Sequence, residues 1–153
     1  MQFEPSPEPV LNPHCEETCR ILEVYARDLR KSRELLKTRG KGKPRGFPTS
    51  QWKRIFAGEP VDLDALSFTV PETKRHVRTH ADWVSAWDKT VAATSFLFPH
   101  RRRELWTYRD DINEEFLCQP DVTQHHRIIQ YDRAVRIIVG GGEEHRLTDI
   151  NTF

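Results

Sequence analysis

Three helix-length segments rich in aromatic residues follow one another between residues 79 and 142, and this stretch constrains the fold more than any other part of the chain. The segments are separated or ended by Pro99, Pro120 and Gly140. Proline starts or breaks a helix and glycine commonly ends one, so each segment has defined limits. Connections this short place successive helices side by side. The pattern predicts an all-α domain built around an antiparallel helical cluster.

The spacing of apolar residues assigns a buried face to each of these three helices. Thr79 with Asp82 approximates a capping box that opens the first helix. Pro99 suits the first position of the second, and Asp121 with Gln124 offers a capping signature for the third. Apolar residues then recur at steps of three and four, which is typical of a helix with one buried face. The predicted faces are Trp83, Trp87, Val91, Thr94 and Phe98; Leu105, Tyr108, Ile112 and Phe116, flanked by Trp106; and Ile128, Tyr131, Val135 and Ile138.

An earlier long helix is predicted near the start of the chain. Asn12 is a suitable N-cap, and Pro13 suits the first helical position because its missing N–H has no partner there in any case. The helix should end by Gly40, where glycines begin to accumulate. Its apolar stripe consists of Cys15, Cys19, Leu22, Tyr25, Leu29 and Leu36.

A glycine-rich basic segment and a short helix follow. The sequence GKGKPRG at residues 40–46 is typical of a linker, because glycine and proline both disfavour regular structure. Thr49 or Ser50 can cap a short helix that ends at Gly58. We expect a further turn at residues 62–66 and an extended loop at residues 67–74. The short helix should bury Trp52, Ile55 and Phe56.

The length and composition of the chain indicate one domain. At 153 residues it has the usual size of a single domain. We expect a flexible arm at residues 1–12, a helical domain at residues 13–142 that includes a basic linker at residues 38–48, and a tail at residues 143–153. The domain should be a small irregular bundle of about four to five helices, counted from the periodic segments.

The composition and the cysteine count predict an intracellular protein of the nucleus or cytoplasm. Hydrophobic residues make up 37% of the chain and charged residues 31%, as in soluble proteins. The sequence holds no apolar run near the roughly 20 residues that a membrane span needs, so we expect no membrane partner. An odd number of cysteines, 3, argues against a disulfide framework.

Positive charge is concentrated between residues 30 and 46, although the net charge of the chain is only +1. The run could bind nonspecific nucleic acid, with Trp52 adding base stacking, or could serve as a nuclear import signal. It could equally be a solvated helix end, where cations favour the negative pole of the helix dipole. The candidate nucleic-acid-binding residues are Arg30, Lys31, Arg33, Lys37, Arg39, Lys41, Lys43, Arg45, Lys53 and Arg54.

The charges on the helix that follows Pro99 oppose its dipole. Cations occupy its first turn and acids its last two turns, and each such placement is unfavourable by a few tenths of a kcal/mol. Either neighbouring helices neutralise both ends, or the basic end of one molecule meets the acidic end of another, giving a salt-sensitive homo-oligomer. The candidate self-association residues are Arg101, Arg102, Arg103, Asp110, Asp111, Glu114 and Glu115.

The sequence gives little support to catalysis, a metal or a cofactor. His14, Cys15 and Cys19 could offer soft ligands, but no second ligand pair follows them, and both cysteines continue an apolar stripe. Arg109 lies among the acidic residues that follow Tyr108, and the sequence has no phosphate-binding loop, so a solvated face is the simpler interpretation. We expect no enzyme, no bound metal and no cofactor, and an enzyme with an unrecognised site stays a lesser alternative.

Three longer segments of the sequence resemble a known protein family. The segments WVSAWDKTVAATSFLFPHRRRELWTYRDDINEEF and HHRIIQYDRAVRIIVGGG, with WKRIFAGEPVDLD upstream, resemble the helical region of proteins encoded by transposable elements of mushroom-forming fungi. The resemblance covers roughly residues 51–148. The residues that match its pattern are Trp83, Trp87, Phe98, Arg101, Tyr108, Phe116, Tyr131 and Arg133.

The resemblance implies a function without catalysis. In that family the helical region is Gag-like or accessory, and zinc knuckles that bind nucleic acid tend to follow it. The present sequence ends at Phe153 before any knuckle, which weakens the expectation of direct nucleic-acid binding. We therefore expect a non-enzymatic interaction or assembly module of a mobile-element-derived protein. The alternative is a nucleic-acid-binding protein that uses the run from Arg30 to Arg45.

Overall fold

The structure, a computed structural model, describes residues 12–37, 42–66 and 76–152. Within these ranges it contains six α-helices and no β-strand, which confirms the predicted all-α class. Predictions for the arm, for residues 38–41 and for residues 67–75 lie outside the described part of the chain. The helices are α1 (Pro13–Arg27), α2 (Leu29–Lys37), α3 (Thr49–Phe56), α4 (His80–Leu97), α5 (Arg102–Cys118) and α6 (His125–Val139).

No helix in the described ranges has both the length and the apolar character that crossing a membrane requires.

The long first helix of the sequence prediction is divided at Asp28. Its start is confirmed, because the Asn12 side chain accepts a hydrogen bond from the amide of His14 at 2.8 Å. At Asp28 the backbone leaves the helical region, and its carboxylate accepts a hydrogen bond from the amide of Lys31 at 3.0 Å. A short acidic side chain competes for backbone donors in this way and begins a new helix. After this break Leu29 is 65% exposed, so its assignment to the buried stripe was wrong.

The short helix α3 begins and ends close to its predicted limits. Its N-cap is Pro48, so the prediction that Thr49 or Ser50 caps the helix was wrong. Gly58 ends the helix with a φ of 72°, in the left-handed region that favours glycine. The turn expected near residues 62–66 is confirmed as a 3₁₀ helix over Leu63–Leu66.

Helices α4 and α5 form the centre of the molecule. The capping box is confirmed, with the Thr79 hydroxyl 3.1 Å from the amide of Asp82. A 3₁₀ turn at Pro99–Arg101 reverses the chain, so that the two helices pack antiparallel, with the Trp87 indole N–H donating to the carbonyl of Leu105 at 3.2 Å. All residues predicted for their two core faces are buried, and Trp106 flanks the second face at 39% exposure.

Helix α6 packs on α5 in a register different from the predicted one. Tyr131 and Ile138, assigned to its core face, are 45% and 55% exposed. The buried positions include the ion pair of Asp132 and Arg136, which an apolar pattern cannot reveal. Asp121 caps a preceding 3₁₀ turn rather than α6 itself, which begins later than predicted. The buried face consists of His125, Ile129, Asp132, Val135, Arg136 and Val139.

The segment after α6 returns to the core. A Cβ atom at Gly141 would lie 2.5 Å from the Cα atom of Gly58, so the two backbones meet where no side chain fits. Further along, Leu147 is buried, and its amide donates to a carboxylate oxygen of Glu104 at 2.7 Å. The residues expected to form a tail thus supply both a core side chain and a hydrogen-bond donor.

Candidate functional site

Four of the predicted nucleic-acid-binding cations form one exposed surface on α2. Arg30, Arg33 and Lys37 follow steps of three and four and therefore share a helical face, with Lys31 beside them. All four are exposed, and Arg30 pairs with Glu34 within the same helix at 3.3 Å. We call these four residues the basic face. Arg39 and Lys41 lie outside the described residues.

The remaining cations of the run do not extend this face into a base-stacking site. The Lys43 ammonium donates to the carbonyl of Leu36 and lies 5.7 Å from the centre of the Trp52 ring, so it caps the end of α2. Trp52 is only 4% exposed, so the prediction that it stacks on bases was wrong. Arg45 and Lys53 are exposed, and Arg54 donates to the carbonyl of Pro60 at 3.3 Å.

Of the three arginines at the start of α5, one belongs to the core. Arg101 is 5% exposed, and its guanidinium donates to Glu104 at 3.0 Å and to the carbonyl of Gly141 at 3.0 Å. A neighbouring acid and a helix-end carbonyl therefore neutralise this cation internally. Arg101 cannot reach a second molecule, so its assignment to a self-association surface was wrong. Arg102 and Arg103 are exposed.

The Glu104 carboxylate joins three parts of the chain. Besides Arg101 and the amide of Leu147, it hydrogen-bonds to His14 of α1 at 2.9 Å. Burial by itself would raise the pKa of Glu104, but the Arg101 charge and these donors lower it below its ordinary value. Sequence reasoning missed this network because His14 and Leu147 lie 90 and 43 residues from Glu104 in the chain. Its inward position and complete pairing indicate a structural role.

A second buried network joins α5, α6 and the segment before Leu63. The Tyr108 hydroxyl donates to Asp132 at 2.5 Å, and Arg136 donates to Asp132 at 3.0 Å and to the carbonyl of Val61 at 2.6 Å. Asp132 has no exposed surface. Burial, reinforced by the Asp132 charge, raises the pKa of Tyr108 far above its ordinary value. These groups are inaccessible to a substrate and hold the helices in register.

Four carboxylates cover the second half of α5. Asp110, Asp111, Glu114 and Glu115 are all exposed, and no side-chain cation among the residues that the structure describes forms an ion pair with them. The pKa of Asp111 is raised by burial and then by the charges of Glu114 and Asp110. Like charges therefore repel one another on this surface. We call these four residues the acidic face.

Apolar side chains border the acidic face. Leu117, which is 70% exposed, lies three residues after Glu114 and therefore beside it on the helix surface. On α6, Tyr131 is 45% exposed, and burial and then the charge of Glu115 raise its pKa. The 3₁₀ turn after α5 exposes Val122, at 68%. Such a combination of charge and exposed apolar area is typical of a protein interface.

A groove of about 570 Å³ lies between α4 and α5. Its residues include an exposed aromatic ring and a cation, Trp106 and Arg102. Arg109 lies 5.2 Å from the centre of the Trp106 ring and pairs with Asp88 at 2.6 Å. We call this the Trp106 groove. Its other lining residues include Gly42, Ser95, Phe96 and Pro99.

The cysteines and histidines do not assemble into a metal centre. The part of the chain that the structure describes contains no group of three or more His, Cys, Asp or Glu residues arranged to hold a metal ion. Cys15 is fully buried, and burial together with the Glu104 charge raises its pKa. The Cys19 thiol donates to the carbonyl of Glu143 at 3.4 Å. Both cysteines therefore pack against the fold.

Comparison with protein-family models, curated proteins and solved structures finds no match for this chain. The resemblance to mobile-element proteins therefore stays a hypothesis.

Proposed function

We propose that this chain is a non-enzymatic assembly module of a mobile-element-derived protein and that it associates with further copies of itself. The observation that carries this proposal is the acidic face, four exposed carboxylates bordered by exposed apolar side chains. Within one molecule these carboxylates repel one another, and the charges of Glu114 and Asp110 add to the larger effect of burial in raising the pKa of Asp111. A cationic partner surface would relieve the repulsion and cover the apolar border.

The basic face of a second copy has the complementary composition. It presents four cations on α2, with Glu34 as the acid between them. Leu29, at the start of the same helix, is 65% exposed and can meet apolar residues such as Leu117 on the acidic face. Both surfaces lie on α-helices, so the contact would be helix against helix with charges at its rim.

This contact has consequences for the kind of assembly. The acidic and basic faces are different surfaces of the same molecule, so each copy can use one face toward each neighbour. Such a heterologous contact forms a ring if the rotation closes and an open chain if it does not. Exposed charges more than a Debye length apart are screened by salt, so the association should weaken as the salt concentration rises.

The interior of the molecule supports a non-enzymatic function. Its strongest polar groups, Glu104 and Asp132, direct their carboxylate oxygens to partners within the protein. An active site needs titratable groups that face a substrate-sized opening, whereas these networks connect helices.

We expect the protein to associate at about 0.05 M salt and to dissociate at about 1 M salt, where the Debye length falls to roughly 3 Å. The double variant Asp110→Asn/Glu114→Gln should be mostly monomeric at the low salt concentration, because both changes remove charge without removing volume. Sedimentation velocity measures the difference directly.

The matched control is Glu59→Gln/Glu144→Gln, which removes two exposed carboxylates outside the acidic face. The control should associate as the unmodified protein does. A protein that is monomeric at both salt concentrations, or a control that dissociates as fully as the acidic-face variant, would refute the proposal.

A further inference from the structure

The two arginines that remain exposed at the start of α5 have an unfavourable position. Arg102 and Arg103 occupy the first turn of that helix, where the dipole favours anions over cations. Arg101 is compensated by Glu104, but no carboxylate in the described ranges forms an ion pair with Arg102 or Arg103. An anion from outside the molecule would offset the excess positive charge.

An aromatic surface lies next to this charge in the Trp106 groove. Trp106 follows Arg102 by four residues, so the two side chains share a face of α5. Both line the groove, and Trp106 is 39% exposed. The Arg109 guanidinium beside the ring is held by Asp88 through contacts of 2.6 and 3.4 Å. Asp88 also lines the groove, and its ion pair with Arg109 offsets its negative charge.

The opposite side of the groove adds backbone and polar groups. Gly42 lines it. Ser95 also lines the groove, and its buried hydroxyl oxygen has no hydrogen-bond partner among the described residues. Phe96 and Pro99 form an apolar wall of the groove. The groove therefore combines an aromatic surface, apolar walls and the positive charge of Arg102.

We propose that the Trp106 groove binds single-stranded nucleic acid, with a phosphate at Arg102 and a base against Trp106. Proteins that bind single strands without sequence preference pair a cationic groove with an aromatic ring, because every base has a face that can stack. A duplex keeps its bases stacked on one another and cannot offer a free face to the ring. The groove residues are separate from the acidic face, so this binding goes beyond the proposed assembly function.

The intrinsic fluorescence of the protein offers a specific readout. The chain has 4 tryptophans, and Trp52, Trp83 and Trp87 are each at most 4% exposed. Quenching on addition of an unlabelled single strand of thymidines should therefore come from Trp106. The variant Trp106→Leu should lose most of that quenching while its thermal unfolding remains cooperative.

Affinity is measured by fluorescence anisotropy with a labelled oligothymidine strand of about 10 nucleotides, the scale of one single-strand binding site. Trp106→Leu should weaken binding by roughly fivefold to a hundredfold, the range for loss of one stacked base. Arg102→Gln should also weaken binding and should lower the slope of log affinity against log salt by about 0.7, the value for one phosphate contact on a single strand. Arg127→Gln, an exposed cation of α6, is the matched control and should leave both quantities unchanged.

All affinities are measured in a Glu114→Gln/Glu115→Gln background, which weakens assembly and leaves Asp110, one helical turn from Trp106, unchanged. Loss of assembly and loss of nucleic-acid binding are thereby distinguished. Unchanged affinity in both groove variants would overturn the proposal, as would a duplex that binds as tightly as the single strand. An oligoglutamate peptide that binds more tightly than the single strand, regardless of residue 106, would identify the groove as an acidic-peptide site instead and would also overturn it.

Discussion

Replacing Asp132 with alanine is expected to lower the free energy of unfolding by about 3 to 5 kcal/mol, the usual effect of leaving one partner of a buried ion pair alone. Asp132 has no exposed surface, and it accepts hydrogen bonds from both Tyr108 and Arg136. Its removal leaves the Arg136 guanidinium, 8% exposed, with only the carbonyl of Val61 as a partner. Urea-induced unfolding measures the loss, and Tm should fall by roughly 6 to 20 °C for a domain of this size.

The control for Asp132→Ala is the double variant Asp132→Ala/Arg136→Met. Methionine fills much of the volume of the arginine without its charge, so the double variant should be more stable than the single one. A loss below about 1 kcal/mol in Asp132→Ala would show that water reaches Arg136 and that the network contributes little.

Replacing Glu104 with alanine is expected to have a similar effect, about 3 to 5 kcal/mol, for the same physical reason. Arg101 would lose its carboxylate partner at 5% exposure, and the amide of Leu147 would lose its acceptor. The change should also loosen α1, because His14 hydrogen-bonds to the same carboxylate. Urea-induced unfolding at pH 7 measures the loss. Glu144→Ala is the matched control and should stay within about 0.5 kcal/mol of the unmodified protein, as exposed substitutions usually do.

The pH dependence of stability gives an independent check on Glu104. Its pKa in the folded protein lies below the ordinary value of 4.5, so its ionised form stabilises the fold above that pH. This contribution should disappear as the pH falls from 4.5 through the lower pKa of the folded state. Glu104→Gln should show a shallower loss of stability over that range. An equal loss of stability in both proteins as the pH falls below 4.5 would contradict the assigned role of the carboxylate.

The sequence predicted the central helices well because most of their buried side chains are apolar or aromatic. Trp83, Trp87 and Tyr108 fell on the expected faces, since periodic burial is a local property that spacing reports. Pro99 and Gly140 also marked real boundaries, because their backbone preferences act within one or two residues.

The register of α6 could not be obtained in the same way. Its buried face includes Asp132 and Arg136, which spacing rules place in solvent because each is charged. They are buried because they pair with each other and with Tyr108, a residue 24 positions earlier in the chain. The exposed Tyr131 was therefore taken for a core residue. Only the three-dimensional pairing reveals that Asp132 and Arg136 are buried and that Tyr131 is exposed.

The candidate surfaces were only partly accessible to sequence reasoning. The exposure of the acidic residues followed from their charge, and the flanking position of Trp106 from its place on α5. The internal use of Arg101 depends on Glu104 and on the carbonyl of Gly141, which the chain brings from 40 residues away. The Trp106 groove likewise needs α4, α5 and Gly42 together, and these segments are distant in the sequence.

Assembly through the acidic and basic faces is tested most directly by exchanging their charges. One variant carries Asp110→Lys and Glu114→Lys, and the other carries Arg33→Glu and Lys37→Glu, all at exposed positions. Each variant alone sets its two new charges against like charges across the contact and should sediment as a monomer at low salt. An equimolar mixture pairs the reversed acidic face of one variant with the reversed basic face of the other, and their unmodified faces also match. The mixture should therefore form mixed assemblies in which the two variants alternate. A mixture that stays monomeric, or a single variant that associates as the unmodified protein does, would contradict the account.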